Sequence, residues 1–353
     1  MMRKLNIGVV GCGEAARRIY LPEFHRIHDQ AVLVAVCDRV EARAKETKER
    51  FGAKAYYTDL DRFLRQSDAD IVVNLTPQRA HVPVSRAALQ AGKHVYTEKV
   101  MAETLDEATQ LIDLAADQRV KFACAPVTLL LPTYRRWQAL IRQGAIGRVT
   151  FARAQGLYPP IWDDFSPEHV WYFAAGSGPL MDMGVYPLTA LTGLFGPVLR
   201  VSAMAKTIMP ERVIGDGPAA GRRFPTEVED SVHLLLDFGG FFASVDLSWC
   251  VQASRNACFE VYGESGTLSG DPTNANTPIH RFRTGQAWEV EDPLPRLPRH
   301  DDWFQGVAHL VRCVLENTEP VNNAVHARHV LDIMLTALRA AREGRTLELQ
   351  TTF

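Results

Sequence analysis

The amino-acid sequence predicts an α/β protein of two domains: a doubly wound parallel sheet, then an α+β domain with a large, mostly antiparallel open sheet. In the first third of the chain, short apolar runs alternate with amphipathic stretches, as in repeated βα units around a buried parallel sheet. After about Pro126, strand-like runs follow one another without helices, which favours antiparallel pairing. The length of 353 residues suits two domains. We place them at residues 1–126 and 127–353, with the C-terminal helix able to pack back on the first.

Strands and helices are predicted to alternate in the first domain. Pro22 is expected to break the first helix, and Gly52 and Gly92 are helix-stop signals. The predicted strands are Leu5–Val10, Val32–Cys37, Ile71–Leu75, His94–Thr97 and Val120–Ala125. The predicted helices are Glu14–Ile27, Glu41–Phe51, Arg79–Gln90 and Thr104–Gln118.

The second domain is predicted to be a sheet with helices on one face. Asp237–Gly240 is expected to form a hairpin turn, and Pro210–Phe224, rich in Gly, Pro and Arg, is expected to form an exposed loop. The predicted strands are Val149–Gly156, Val198–Thr207, Val228–Phe238, Phe241–Cys250 and Cys258–Tyr262. The predicted helices are Thr133–Gln143, Asp302–Glu316 and Val325–Glu343.

Composition excludes several classes of protein. A formal net charge of -2 and the lack of a polybasic segment argue against a nucleic-acid partner. No stretch is long and apolar enough to span a bilayer, and glycines interrupt the first apolar run too early for a signal peptide. We therefore expect a cytoplasmic protein without a membrane partner. The six cysteines contain no C-x-x-C pair, and no His cluster lies at metal-ligand spacing with them, so no metal site is expected. We expect them to be buried, reduced thiols.

The turn after the first predicted strand has the pattern G-x-G-x-x-A over Gly11-Cys12-Gly13-Glu14-Ala15-Ala16. Gly11 permits the tight turn, Gly13 lets the main chain approach a pyrophosphate, and Ala16 lets the following helix pack close to the strand. The helix N-terminus presents free N–H groups to the phosphates. These six residues are our first candidates for cofactor binding, in a Rossmann domain; the alternative is a tight turn without a ligand.

The residues after the second predicted strand indicate which dinucleotide is bound. Asp38 follows the run Val32–Cys37, at the position where an acid accepts hydrogen bonds from the adenosine ribose and repels a 2′-phosphate. We therefore expect NAD, with NADP less favoured. Arg39 is a further candidate, since it can hold a phosphate if Asp38 turns away.

With these motifs in place, nearly the whole sequence resembles the family of glucose–fructose oxidoreductase, inositol dehydrogenase and MocA. The resemblance rests on the turn already described and on four further stretches. These are Asn74-Leu-Thr-Pro77 with His81, Ala91–Lys99, Gly176–Tyr186 and Phe259–Leu268. It implies NAD-dependent chemistry on sugars, polyols and related carbohydrates, and a second domain whose open sheet often mediates contacts within a homo-oligomer, here a dimer or tetramer.

The resemblance also implies roles for residues of the first domain. Thr76 and Pro77 follow a strand, where ligands bind in such sheets, and the family analogy places them near a ribose. His81 is a candidate for contact with cofactor or substrate, with a structural histidine as the alternative. Glu98 and Lys99 match the family's E-K-P motif, with Val100 in place of the proline. In relatives the lysine contacts both the nicotinamide ribose and the substrate hydroxyl.

Asp182 and Tyr186 match the family's D-x-x-x-H pair, with Tyr in place of His, as in the glucose–fructose oxidoreductase branch. Four residues apart, they would share one face of a helix, which Pro187 is expected to kink. A phenol, with a pKa of about 10, is a poor base unless a cation lowers that value, and Lys99 is the candidate cation. The expected catalytic set is therefore Lys99, Asp182 and Tyr186.

Four aromatic residues flank that pair and are candidates for stacking on a sugar ring: Tyr158, Trp162, Trp171 and Tyr172. Core packing is the alternative for each. With the three catalytic candidates they form the expected substrate-binding set, and substrate specificity is expected to lie in residues 158–178 and 210–224.

The leading hypothesis is a dehydrogenase or reductase that transfers hydride between a carbohydrate substrate and C4 of the nicotinamide. A redox-neutral, NAD-dependent glycosidase that works by oxidation and elimination is one alternative, and it would release product without net reduced nicotinamide. The other is a non-catalytic regulatory protein that senses the nucleotide. His326 and His329 lie three residues apart on the last predicted helix but lack a nearby acid or Cys ligand, so we interpret them as structural.

Overall fold

The structure is a computed structural model that describes residues 3–161, 167–215, 217–291 and 302–353. The chain folds into two compact units. The first contains the described residues up to Leu130 together with Asp302–Leu331. The second contains the described residues from Leu131 to 291 together with Asp332–Phe353.

A parallel sheet forms the centre of the first unit. Its strands are β1 (Leu5–Val10), β2 (Ala31–Cys37), β3 (Ala55–Tyr57), β4 (Ile71–Asn74), β5 (His94–Thr97) and β6 (Phe122–Cys124). They pair in the order β3-β2-β1-β4-β5-β6, and every pair is parallel. The order reverses between β1 and β4, and ligands bind beyond the carboxyl ends of the strands at such a reversal. The predicted doubly wound sheet is confirmed.

Helices α1 (Glu41–Phe51), α2 (Leu60–Gln66), α3 (His81–Gln90) and α4 (Leu105–Asp117) connect these strands. Their ends follow local sequence signals. Gly52 ends α1 in the left-handed conformation, with φ +71°. Thr104 begins α4 with a capping box: the Thr104 hydroxyl accepts from the Glu107 N–H, and the Glu107 carboxylate accepts from the Thr104 N–H. Both β3 and α2 are short, and the sequence pattern did not predict them.

The helical segment after the glycine turn differs from the α-helix expected over Glu14–Ile27. A π-helix covers Ala16–Tyr20, and a 3₁₀-helix covers Leu21–Ile27. Pro22 explains the change, because it has no N–H to continue the helical ladder. Just before it, the Leu21 N–H bonds to the Ala16 carbonyl five residues back.

A large sheet forms the centre of the second unit. Its strands, with a separate two-stranded ribbon, are β7 (Val149–Leu157), β8 (Arg200–Lys206), β9 (Glu211–Val213), β10 (Arg223–Pro225), β11 (Ser231–Asp237), β12 (Phe242–Ser248), β13 (Phe259–Gly263), β14 (Gly266–Gly270), β15 (His280–Arg283), β16 (Glu289–Val290) and β17 (Leu347–Glu348). The order is β16-β15-β14-β13-β7-β12-β11-β8-β17, and only the β7–β12 pair of these described strands is parallel. The predicted antiparallel sheet and the hairpin between β11 and β12 are confirmed.

Helices cover one face of this sheet, as predicted: α5 (Pro132–Arg142), α6 (Pro179–Asp182) and α7 (Val185–Phe195). The side chains of β11 alternate, with Val232, Leu234 and Leu236 buried and the residues between them exposed. In α5, the ring of Trp137 packs edge-on against Phe259 of β13 at a centroid distance of 5.4 Å.

The exposed loop expected at Pro210–Phe224 is wrong in part, because β9 and β10 pair there as an antiparallel ribbon. Arg212 of β9 is fully buried. Its guanidinium group donates to the Asp230 carboxylate at 2.7 Å, to two main-chain carbonyls and to the Thr226 hydroxyl. A buried charge is tolerated when its partners satisfy it in this way. The sequence pattern could not reveal a partner 18 residues further along the chain.

Residues near the C-terminus complete the first unit. Helix α8 (Phe304–Glu316) adds Phe304 to the buried cluster that contains Tyr20 and Tyr96. Gly306 lies so near Tyr96 that a Cβ at this position would be 2.5 Å from the ring. Helix α9 (Ala324–Glu343) follows, and the division between the two units falls within it.

Two expectations from composition concern the membrane and the thiols. Within the described ranges, no helix has both the length and the hydropathy needed to cross a membrane. All six cysteines are free; Cys12, Cys37, Cys124 and Cys313 are buried as expected. The expectation of burial is wrong for Cys258, which is exposed, while Cys250 is half-buried.

We predict that Arg212→Met lowers the free energy of unfolding by about 3–5 kcal/mol, because the change leaves the buried Asp230 carboxylate without its charged partner. Arg223→Met is the matched control in the same ribbon. Arg223 pairs with Glu211 across the strands, but both side chains are more than half exposed, so this loss should stay below about 1 kcal/mol. Urea unfolding followed by tryptophan fluorescence measures both, and equal losses would contradict the assignment.

Candidate active site

The turn after β1 is built around a close contact between two strand ends. Gly11 has φ +95°, and a Cβ there would be 2.6 Å from the carbonyl carbon and oxygen of Leu75. Its N–H donates to the Cys37 carbonyl at 2.8 Å. Gly11 therefore joins the ends of β1, β2 and β4, and no other residue fits this conformation and space.

The outer side of the same turn is open. A Cβ built on Gly13 would have no heavy atom within 4 Å, apart from its chain neighbours. Ala16, by contrast, is fully buried where the following segment packs on the sheet. Glu14 is exposed and pairs with Arg18, and Ala15 precedes the π-helix. This arrangement fits a dinucleotide, since the main chain at Gly13 is accessible to a pyrophosphate.

Asp38 is held by main-chain groups on both sides. One carboxylate oxygen accepts from the Cys12 N–H of the glycine turn, and the other accepts from the Val40 N–H, each at 2.8 Å. The side chain is half-buried, whereas Arg39 is exposed. These two hydrogen bonds fix the Asp38 carboxylate beside the turn. Arg39 could hold a phosphate there only if Asp38 turned away, and the two bonds oppose that movement.

Two arginines lie near the glycine turn. Burial raises the pKa of the Cys12 thiol to about 11, while the nearby Arg17 and Arg43 guanidinium groups act in the opposite direction. Cys12 is therefore a neutral thiol at physiological pH and does not repel phosphate. The two arginines add to the electrostatic attraction for an anion at this turn.

The Asn74 side chain organises the turn after β4. Its oxygen accepts from the Thr76 hydroxyl at 2.6 Å, and its nitrogen donates to the His81 carbonyl and the Ser85 hydroxyl. Thr76 is half-buried and Pro77 is exposed. Asn74 is the first residue of the Asn74-Leu-Thr-Pro77 motif, but the sequence pattern assigned it no role in the site. An amide at the end of a buried strand was the signal, because buried polar groups need partners.

His81 is buried against two main-chain carbonyls. Its Nδ1 lies 2.7 Å from the Val100 oxygen and its Nε2 lies 2.8 Å from the Thr76 oxygen. Burial lowers the pKa of His81, although both carbonyl contacts act in the opposite direction. The ring therefore links the turn after β4 to the segment that contains Lys99.

Glu98 and Lys99 follow β5, next to β4 in the sheet. One oxygen of the Glu98 carboxylate accepts from the Tyr20 hydroxyl, and the other accepts from the Lys99 N–H at 3.0 Å. Lys99 itself is half-buried, and the peptide bond to Val100 is cis. The candidates of the first unit thus lie together beyond the carboxyl ends of neighbouring strands.

Asp182 and Tyr186 do not lie on one continuous helix, so this expectation is wrong. Asp182 is the last residue of α6, and Tyr186 belongs to the first turn of α7. Gly184 forms the corner between them; a Cβ there would be 2.5 Å from the Leu180 oxygen. Pro187 also lies in the first turn of α7, where its missing N–H costs nothing, so it does not kink the helix interior.

Tyr158 lies just past the end of β7, with its side chain partly exposed. Burial raises the pKa of its phenol, and the ionisable groups of Cys258, Asp271 and Asp182 raise it further. Tyr158 therefore keeps its proton at neutral pH, and its phenol lies within the field of the Asp182 carboxylate. The structure brings these two substrate-binding candidates into one locality of the second unit.

The remaining aromatic candidates differ in their surroundings. Trp171 is 50 % exposed, and its ring stacks on Tyr172 with a centroid distance of 3.9 Å. Tyr172 in turn packs edge-on against the buried Trp249. Of these two rings, Trp171 has the more accessible surface, and Tyr172 supports it. Trp162 lies outside the described residues.

No group of three or more His, Cys, Asp or Glu side chains in the described part of the chain is arranged to hold a metal ion. His326 and His329 are both buried in α9. Burial and the neighbouring His329 lower the pKa of His326 to about 4, so it is neutral at physiological pH.

A reversed parallel sheet, a glycine turn that is open at Gly13, and an acid fixed beside that turn define a dinucleotide-binding protein. Residues 5–125 match the oxidoreductase family with an NAD-binding Rossmann fold, and residues 134–269 match the GFO/IDH/MocA C-terminal domain. The chain belongs to the GFO/IDH/MocA family and is an oxidoreductase. The resemblance inferred from the sequence is confirmed.

Several members of the family are similar over most of the chain. The dTDP-3,4-didehydro-2,6-dideoxy-alpha-D-glucose 3-reductase of Actinomadura kijaniata is 30% identical over 90% of this chain and 89% of its own. The levoglucosan dehydrogenase of Pseudarthrobacter phenanthrenivorans is 29% identical over 76% and 73%. The crystal structure of the aldose-aldose oxidoreductase from Caulobacter crescentus, complexed with glycerol, has a TM-score of 0.81 and 27% identity over 98% and 100%.

Two glycine variants separate folding from cofactor binding. Gly13→Ala adds a methyl group in open space, so the unfolding midpoint should be unchanged while NAD affinity falls by about tenfold or more, because the methyl group occupies the approach to the pyrophosphate. Gly11→Ala should lower the midpoint sharply, because of its positive φ and the Leu75 contact. Thermal unfolding and NADH titration measure the two effects. A Gly13→Ala protein that binds NADH as tightly as the wild type would contradict the proposed binding mode.

Proposed function

We propose that the protein is an NAD-dependent dehydrogenase or reductase of a sugar, polyol or keto-sugar derivative. One observation carries the proposal: the open turn at Gly13 and the segment of Lys99 follow strands of the same sheet, both at its carboxyl edge. The relatives named above, which are called a reductase of a dideoxy sugar and a dehydrogenase of levoglucosan, support this class of substrate.

The first unit carries the cofactor-binding candidates. The turn Gly11–Ala16 holds the pyrophosphate, and Asp38 accepts hydrogen bonds from the adenosine ribose. Thr76, Pro77 and Glu98 border the rest of the dinucleotide, and His81 supports them through main-chain contacts. NAD is preferred to NADP, because a 2′-phosphate would meet the fixed Asp38 carboxylate.

Oxidation of an alcohol removes a hydride from carbon and a proton from oxygen. NAD, when bound, accepts the hydride at C4 of its nicotinamide ring. Tyr186, as the phenolate that the Lys99 cation favours, takes the proton from the substrate oxygen and becomes a neutral phenol, and Lys99 stabilises the negative charge that develops on that oxygen. Asp182 orients the substrate by accepting from a neighbouring hydroxyl, and Tyr158 and Trp171 contact the sugar ring. Reduction of a ketone runs through the same groups in reverse.

The decisive experiment is a spectroscopic screen of sugars, inositols and keto-sugars with NAD and with NADP. We expect absorbance at about 340 nm to change with one substrate class and to change faster with NAD. Lys99→Met should lower kcat by about 100-fold or more while NADH binding persists, since one stabilising charge is typically worth that much. Lys93→Met, at the opposite end of β5, is the control and should retain full activity.

The outcomes separate the rival functions. Sugar product without net reduced nicotinamide would support the redox-neutral glycosidase. Binding of NADH with no turnover of any carbohydrate would support the regulatory protein. A Lys99→Met enzyme with an undiminished rate would remove Lys99 from the chemistry.

We propose that the protein works in the cytoplasm. All six cysteines are free thiols, including the exposed Cys258. Disulfides are rare in that compartment, because its thiols are kept reduced. A chain tagged with a fluorescent protein and imaged in its own cells tests this location.

We further propose that the chain forms a homo-oligomer, a dimer or tetramer, through the uncovered face of the second sheet. Met204, Leu235 and Phe242 project from that face and are 79%, 45% and 51% exposed. The strands of this sheet together present on the order of 800 Å², which is about the area that each partner buries in a standard interface. A second copy of the chain, with the same flat face, is the occupant that this area fits.

Leu235→Glu places a charge in the middle of that face, and we expect it to shift the protein from oligomer to monomer in sedimentation velocity. Val321→Glu changes an equally exposed residue of the first unit and should leave the oligomer intact. A wild-type protein that sediments as a monomer at micromolar concentration would exclude this interface.

A further inference from the structure

Two side chains connect the segment behind the glycine turn to Lys99. The Tyr20 hydroxyl donates to one oxygen of the Glu98 carboxylate, and the other oxygen accepts from the Lys99 N–H at 3.0 Å. Tyr20 ends the π-helix that begins four residues earlier, at Ala16. The connection therefore consists of one tyrosine and one glutamate, and it runs from the segment behind the phosphate-binding turn to the main chain of the candidate catalytic lysine.

The Tyr20 side chain is held in place by its surroundings. Its ring is 2% exposed and packs against Tyr96, with a centroid distance of 6.1 Å and the two hydroxyl oxygens 3.4 Å apart. Tyr96 is backed by Gly306, where no Cβ fits. Burial raises the pKa of Tyr20 well above its ordinary value, and Glu98 raises it further. The phenol therefore keeps its proton and remains a donor to Glu98.

Glu98 has a second restraint at its own main chain. Its N–H donates to the Asn74 carbonyl at 3.0 Å, which continues the pairing of β4 with β5. With the backbone fixed in this way, the direction of the carboxylate depends on the Tyr20 hydroxyl, and that carboxylate in turn fixes the Lys99 N–H. A hydrogen bond to a charged group is stronger than a neutral one, so this restraint is an effective one.

We propose that Tyr20 is a positioning residue for Lys99, acting through Glu98. The inference rests on the proposed dehydrogenase function, because it assumes that Lys99 contacts the reacting oxygen. The role requires the hydroxyl group of Tyr20 and not only its ring.

Tyr20→Phe removes that hydroxyl and keeps the ring. We expect kcat to fall about tenfold, the size of one lost bond to a charged group, while KM for NAD changes less than about twofold, because the turn itself is intact. Tyr134→Phe is the matched control. Tyr134 is also a buried tyrosine, with its hydroxyl near Gln138 in α5 of the second unit, and its loss should leave kcat unchanged.

A second measurement does not depend on activity. In the protein without NAD, hydrogen exchange of the Lys99 amide should accelerate in Tyr20→Phe, because its acceptor Glu98 is released. Exchange in α5 should stay at the wild-type rate. Unchanged exchange at Lys99 would overturn the proposal even if activity fell.

A double-mutant cycle with Glu98→Ala tests the route. If Tyr20 acts through Glu98, the double variant should have the kcat of Glu98→Ala alone. Multiplying effects on kcat would show that Tyr20 acts by another path and would overturn the proposal. If Lys99→Met keeps full activity, the proposed function fails. If Lys99→Met lowers kcat strongly but Tyr20→Phe has the same kcat as Tyr134→Phe, only the positioning role of Tyr20 fails.

Discussion

The first unit depends on one contact between main-chain atoms. Gly11 lies against Leu75 and Thr76 so closely that no side chain can intervene. This contact brings the connections after β1 and β4 together at the point where the strand order reverses. As a result, the Gly13 main chain, the Asp38 carboxylate and the Thr76 turn border one region. The cofactor-binding candidates are neighbours because of sheet topology and not because of their spacing in the sequence.

Local physical signals account for most of what the sequence predicted. Apolar runs marked the predicted strands of the first domain to within about two residues, Gly52 marked the end of α1, and the glycine pattern marked the turn after β1. These features depend on residues within a few positions of one another, so they can be read without knowing the fold. The short β3 and α2 were not predicted, although Asp59 caps α2 by accepting from the Arg62 N–H, because each has only a few residues and so a weak periodic pattern.

Long-range contacts account for what the sequence could not predict. The partner of Arg212 is Asp230, and only the fold brings them together, so a ribbon with one buried residue in each strand resembled an exposed loop. The helix expected to carry Asp182 and Tyr186 is divided, because Gly184 packs against Leu180 and Leu247. Similarly, Tyr20 gave no functional signal, since its partner Glu98 lies 78 residues away. The residue types were informative, but their pairing required the structure.

The position of α8 in the first unit has a consequence for biosynthesis. Phe304, Val307 and Leu310 belong to the same buried cluster as residues of β1 and β2. A ribosome releases these helix residues only after the strands β1 to β16 have been translated. Until then the nascent first unit lacks part of its apolar interior, whereas an N-terminal domain with a contiguous core can complete it during synthesis. The buried cluster of the first unit is therefore complete only when α8 packs against β1 and β2.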